Sequence, residues 1–76
     1  MSKLPSVSGK EVYGALKRNR YEDVRTSASS HRYLKHPDKG GLVAIPFHGN
    51  RNLPKGTLKS ILKQAGITAD DLVNML

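Results

Sequence analysis

Three histidines, His31, His36 and His48, all fall between Arg25 and Lys63, and so does the chain's excess of positive charge. Histidine titrates near neutral pH when unperturbed, so it can take up or release a proton under ordinary conditions. Among lysines and arginines it meets the needs of metal-free RNA cleavage. A base of near-neutral pKa removes the proton of a ribose 2′-hydroxyl, which then attacks the adjacent phosphorus. Cations stabilise the charge on the phosphoryl oxygens. DNA lacks the 2′-hydroxyl, so chemistry of this type selects RNA.

Other chemistries find less support. A zinc site from the three histidines has neither the i, i+4 helical spacing nor a short loop spacing, and no carboxylate accompanies them closely. No metal or cofactor is expected. Ser29 and Ser30 adjoin His31, but no Gly-x-Ser-x-Gly elbow is present to expose a nucleophile. Gly40-Gly41 is followed by no Gly-Lys-Ser/Thr, so it reads as a turn and not as a phosphate loop. For each histidine taken singly, composition favours a surface or half-buried polar role over a catalytic one.

The charge is more informative. The chain has 76 residues, no Cys and a formal net charge of +7. Between Arg25 and Lys63 stand Arg25, Arg32, Lys35, Lys39, Arg51, Lys55, Lys59 and Lys63 against Asp38 alone, so this stretch carries the whole excess and the two flanks cancel. A solubilising surface mixes its signs, whereas a one-signed field attracts polyanions and speeds their encounter. Nucleic acid and an acidic protein are the candidate partners. A chain of this length buries only about 60–65% of its unfolded surface, which leaves room for one domain, 1–76, with residues 1–7 as a loose lead-in. No segment approaches the roughly 20 apolar residues that span a bilayer, and the N-terminus carries no signal-like apolar stretch, so a cytoplasmic location without membrane contact is expected.

The elements that must position these groups read as follows. Ser8-Gly9-Lys10-Glu11 is a capping box, with Val7 and Val12 as a hydrophobic staple, and Val12, Ala15 and Leu16 continue an apolar face, predicting a helix over Gly9 to Arg18. Tyr21 to Thr26, His31 to His36 and Leu42 to Pro46 read as strands, with Pro37-Asp38-Lys39-Gly40-Gly41 as a hairpin turn. On a regular strand His31, Tyr33 and Lys35 share one face and Arg32, Leu34 and His36 the other, so His31 and His36 should not converge on one phosphate. A second helix starts near Pro54 or Lys55, buries Leu58, Ile61, Leu62 and Ala65, presents Lys55, Lys59 and Lys63 as a ridge and stops at Gly66. Thr68 to Asp71 caps a short final helix, whose Leu72, Val73 and Leu76 should complete the core. The fold class is α+β, in the order α-β-β-β-α-α, with a three-stranded antiparallel sheet and helices on one face. At the start of the second helix Gly56 and Thr57 offer backbone amides to an anion, with Lys55 and Lys59 beside them.

Two segments, Ser30-His31-Arg32-Tyr33-Leu34-Lys35-His36-Pro37-Asp38 and Leu53 to Ile67, resemble the HicA, or YcfA-like, toxins of bacterial type II toxin–antitoxin systems, and the resemblance runs from about Val12 to Leu76. It implies a small double-stranded-RNA-binding-like fold and an mRNA interferase, an endoribonuclease that arrests translation until a HicB-type antitoxin neutralises it. The family's Gly-Ser-His motif places its catalytic histidine on His31. The family Gly is Ser29 here, and the stretch from Arg25 to His31 is about a residue longer. With the basic field, the resemblance gives an RNA-contacting set of Ser30, Arg32, Lys35 and His48, continued by Arg51, Lys55, Gly56, Thr57 and Lys59. An acidic antitoxin covering this face and His31 would block RNA access, with DNA contacted only indirectly through that partner. The alternative is a non-catalytic RNA-binding module that uses the same fold and charge.

Overall fold

The computed structural model describes residues 4–24, 31–47 and 50–76. Its elements run α1 (Gly9–Lys17), β1 (Glu22–Asp23), β2 (His31–Lys35), β3 (Val43–Pro46), α2 (Lys55–Ala65) and α3 (Ala69–Met75), the order expected from the sequence. The sheet is an antiparallel meander, β1-β2-β3, in which His31 faces Pro46, Arg32 faces Ile45, Tyr33 faces Ala44 and Leu34 faces Val43.

Local chemistry explains the helix ends. Ser8 accepts from the Glu11 amide and Glu11 accepts from the Ser8 amide, and Thr68 and Asp71 do the same for α3. Gly66 ends α2 in the left-handed region at φ 72°, where a side chain would be strained. The Tyr21 hydroxyl donates to the Ala65 carbonyl at 2.8 Å, and Lys39 Nζ reaches the Ala65 and Gly66 carbonyls, so the hairpin turn and the start of β1 satisfy the far end of α2.

Leu34, Val43 and Ile45 point to one face of the sheet, where Val12, Ala15 and Leu16 of α1, Leu58, Ile61, Leu62 and Ala65 of α2 and Leu72 of α3 bury against them. Where α1 begins, Gly9 lies so close to β3 that a Cβ there would collide with the Pro46 carbonyl. The same corner joins α1 to the segment before α2: the Leu53 amide donates to the Val7 carbonyl at 2.8 Å, and Ser8 bridges Asn52.

Several boundaries and packings differ from the sequence reading. Of the lead-in expected to be loose over residues 1–7, residues 1–3 lie outside the described residues, while Leu4 packs on the core and Val7 is only 4% exposed, because the bond to Leu53 and the staple on α1 draw this part inward. Val73 and Leu76 do not complete the core: they are 49% and 47% exposed. A helix of two turns turns one side inward, Leu72 and Met75 occupy it, and Val73 falls about 100° away. The β1 ladder covers Glu22–Asp23, since Tyr21 turns into the core, while Arg25 and Thr26 lie outside the described residues. His36 leaves β2 because its Nδ1 accepts from the Asp38 amide and it stacks edge-on against Tyr21 at 4.9 Å. Leu42 lies just outside β3, and Arg18 caps α1 while donating to the Met75 carbonyl.

On the rim, Tyr13 donates to both oxygens of Asp23 and Lys17 pairs with it at 2.9 Å. The Tyr13 hydroxyl and then the Lys17 ammonium hold the Asp23 carboxyl below its usual range, and the Thr68 amide and hydroxyl do the same for Asp71. A depressed carboxylate adds stability that is present above its unfolded pKa and lost as pH falls through the folded one. Thermal melts from pH 6 downward should therefore show an acid-side loss of stability, and Asp23→Asn should make that loss shallower. Gly9→Ala should cost about 1–3 kcal/mol in a denaturant titration, since the Pro46 carbonyl must move to admit the methyl group.

Candidate functional site

His31 opens β2 on the face turned away from the helices, and its exposed side chain looks onto a groove between β3 and α2. The register explains this. Ala44 sends its amide outward from the sheet to Gln64, so Tyr33–Ala44 and His31–Pro46 are the pairs without ladder bonds. Facing residues come closest in such pairs, and Pro46, which has no N–H, costs the ladder nothing there. His31 therefore stands close over Pro46, with Tyr33 beside it at 6.4 Å between ring centres.

The groove holds about 700 Å³ and is lined by His31, Ala44 and Pro46 from the sheet and by Pro54, Gly56, Thr57, Ser60, Ile61 and Gln64 from α2 and its approach. The first amides of a helix have no partner within it, and the first internal bond of α2 is Leu58 to the Pro54 carbonyl at 2.9 Å. Pro54 supplies no side-chain cap, and the first turn holds no acid. The positive end of the α2 dipole therefore faces the same groove as His31.

At about 100° per residue, α2 divides into three sectors. Leu58, Ile61, Leu62 and Ala65 enter the core, and Lys55, Lys59 and Lys63 form an exposed ridge. Thr57, Ser60 and Gln64 lie between them, toward the groove. Ile61 is the shared boundary, buried and yet forming the groove floor.

Of the residues expected to contact RNA, Gly56 and Thr57 meet His31 across the groove. Lys55 and Lys59 stand exposed on the neighbouring sector, and Arg51 is exposed in the segment leading to α2. Lys35 shares the face of His31 but lies about 13 Å farther along the strand. Arg32 points to the other face, its guanidinium 5.6 Å from the centre of the Phe47 ring, which Tyr13 meets edge-on. Ser30 and His48, with Ser29, lie outside the described residues. His36 is on the opposite face from His31, as strand alternation requires.

The sequence reading missed Ser60 and Gln64, although their i, i+3, i+7 spacing from Thr57 marks a polar stripe. Ala44 and Pro46 carry no such signal, since only the strand register brings them to the groove.

Some of the cations, Lys39 of the basic stretch and Lys17 and Arg20 of the flank before it, are engaged internally. Lys39 caps α2, and the two ion pairs among the described residues are Lys17–Asp23 and Arg20–Asp38. Lys35, Arg51, Lys55, Lys59 and Lys63 have no acid at ion-pair distance among the described residues. Among those residues no group of three or more His, Asp or Glu gathers as a metal would need, and no helix is long and apolar enough to cross a membrane.

None of the curated proteins compared matches the chain. A family model described as the HicA toxin of bacterial toxin–antitoxin systems matches residues 9–67, which takes in α1, the whole sheet, the groove and α2. By that match the chain belongs to the HicA toxin family.

Proposed function

We propose that this toxin is a metal-independent mRNA interferase with His31 as its catalytic base. The observation that carries the reading is the position of His31 on the open face of β2, across one groove from the uncapped first turn of α2. A phosphodiester laid in the groove has its non-bridging oxygens at the Gly56 and Thr57 amides, with Lys55 adding charge. His31 takes the 2′-hydroxyl proton, the 2′-oxygen bonds to phosphorus, and the bond from phosphorus to the 5′-oxygen breaks. The products are a 2′,3′-cyclic phosphate and a 5′-hydroxyl end. The leaving 5′-oxygen takes its proton from solvent water in the open groove, because His36, on the other side of the sheet, does not reach it. Lys35, Arg51 and Lys59, all exposed, extend the RNA-contacting surface, whereas Arg32 is turned to Phe47 on the other side of the sheet.

The same surface serves the antitoxin. An acidic HicB-type partner that covers the lysine ridge and His31 excludes RNA by occupation and associates quickly through charge steering. DNA is then met only through that partner, and the setting is the cytoplasm, where mRNA is found.

With RNA in EDTA, the wild-type protein should produce cyclic-phosphate ends, and His31→Ala should slow cleavage by about 10²–10⁴-fold. Full-rate cleavage by the variant would remove His31 from the mechanism. Binding without cleavage by either protein would favour the RNA-binding module. Lys55→Gln and Lys59→Gln should weaken binding evenly across RNA sequences, each lowering the slope of log affinity against log salt by about 0.7.

A further inference from the structure

The groove contains a hydrogen-bond chain whose direction is fixed by the backbone. The Ala44 amide of β3 donates to Gln64 Oε1 at 2.8 Å, and Gln64 Nε2 donates to Ser60 Oγ at 3.2 Å. The orientation of the Gln64 amide is not free. Its NH₂ end cannot face the Ala44 N–H, since both are donors, so the oxygen must take that position and the nitrogen must turn to Ser60. Ser60 is thereby an acceptor in this bond, and its own hydroxyl hydrogen is left for another partner. The Gln64 bond is the one that Ser60 makes among the described residues, and both side chains line the groove with His31.

From this geometry we infer that Ser60 is a phosphate-binding residue, a hydroxyl donor held in readiness by Gln64 and the β3 edge. This rests on the reading of the groove as the RNA site. Ser60 lies one helical turn beyond Gly56, on the side of α2 away from its buried stripe. A phosphate near the first turn, or its neighbour along the strand, therefore has a neutral donor on the α2 wall in addition to the amides and lysines. Gln64 is a positioning residue. It fastens α2 to the sheet edge, and through its fixed amide it sets Ser60 as donor toward the ligand.

The test uses the intact protein and a 2′-O-methyl oligoribonucleotide, which binds without being cleavable through the 2′-oxygen. Its affinity is read by fluorescence anisotropy, with thermal melting alongside. Ser60→Ala keeps the Ala44–Gln64 bond and should weaken binding about 5- to 20-fold with little change in melting temperature, while Ser60→Thr should restore it. Gln64→Glu still accepts from Ala44 but now accepts from Ser60 as well, turning the hydroxyl away from the groove. Its added charge is separated out by a double-mutant cycle. Gln64→Glu should cost several-fold more with Ser60 present than in the Ser60→Ala background. Unchanged affinity in Ser60→Ala, or equal Gln64→Glu effects in both backgrounds, would overturn the inference. Because the ligand cannot be cleaved, these results stand apart from any failure of the cleavage reading itself.

Discussion

The site depends on how α2 is fastened along the edge of β3. Leu58 and Ile61 are almost wholly buried against the sheet, which supplies the attraction but not the angle. The angle comes from directional contacts at both ends. Gln64 caps the outward amide of Ala44, and Tyr21 and Lys39 take the C-terminal carbonyls. At the start of α2, the Val7–Leu53 bond and the Ser8–Asn52 bridge hold the preceding segment against the cap of α1. So restrained, the first turn of α2 is brought to the groove that His31 lines. The docking also covers an edge strand that would otherwise offer unpaired backbone groups to another chain.

The same restraints divide the charge. Lys39, Arg20 and Lys17 are each held by a nearby carbonyl or carboxylate, and they tie the hairpin turn, α2 and β1 together. The cations left without such partners lie mainly on α2 and the segment before it, close to the groove. The chain's cations thus divide into a structural part and a part open to an anion. Capping follows the same division. The two helices whose first turns do not line the groove carry complete capping boxes with acids in their first turns, and α2 begins with Pro54 and no acid.

Much of this is legible in the residues. Ser8 with Glu11, Thr68 with Asp71, and Gly66 mark helix ends because capping is a contact between near neighbours in sequence. The apolar stripe of α2 and the alternation of β2 place Leu58 inward and His31 and His36 on opposite faces, because both periodicities are local geometry. Arg32 illustrates the limit. It follows His31 and belongs to the same basic run, yet the pleat turns it toward Phe47 on the far side of the sheet. Val73 and Leu76 illustrate another: apolar character suits a core position, but α3 turns Ala69, Leu72 and Met75 inward, Val73 falls on another side and Leu76 lies past the helix end.

By itself the sequence determined the element order, the helix caps, the core stripes, the location of the basic excess and the face on which His31 lies. The caps, the stripes and the face of His31 follow from spacing within a dozen residues, and the charge from simple counting along the chain. The tertiary structure alone decided that His31 faces the first turn of α2 across the groove, that Ala44 and Pro46 line the space between them, and that Gln64 links the Ala44 amide to Ser60. Those relations depend on contacts between distant parts of the chain, and they exist only after the β2–β3 register and the docking of α2 are both fixed.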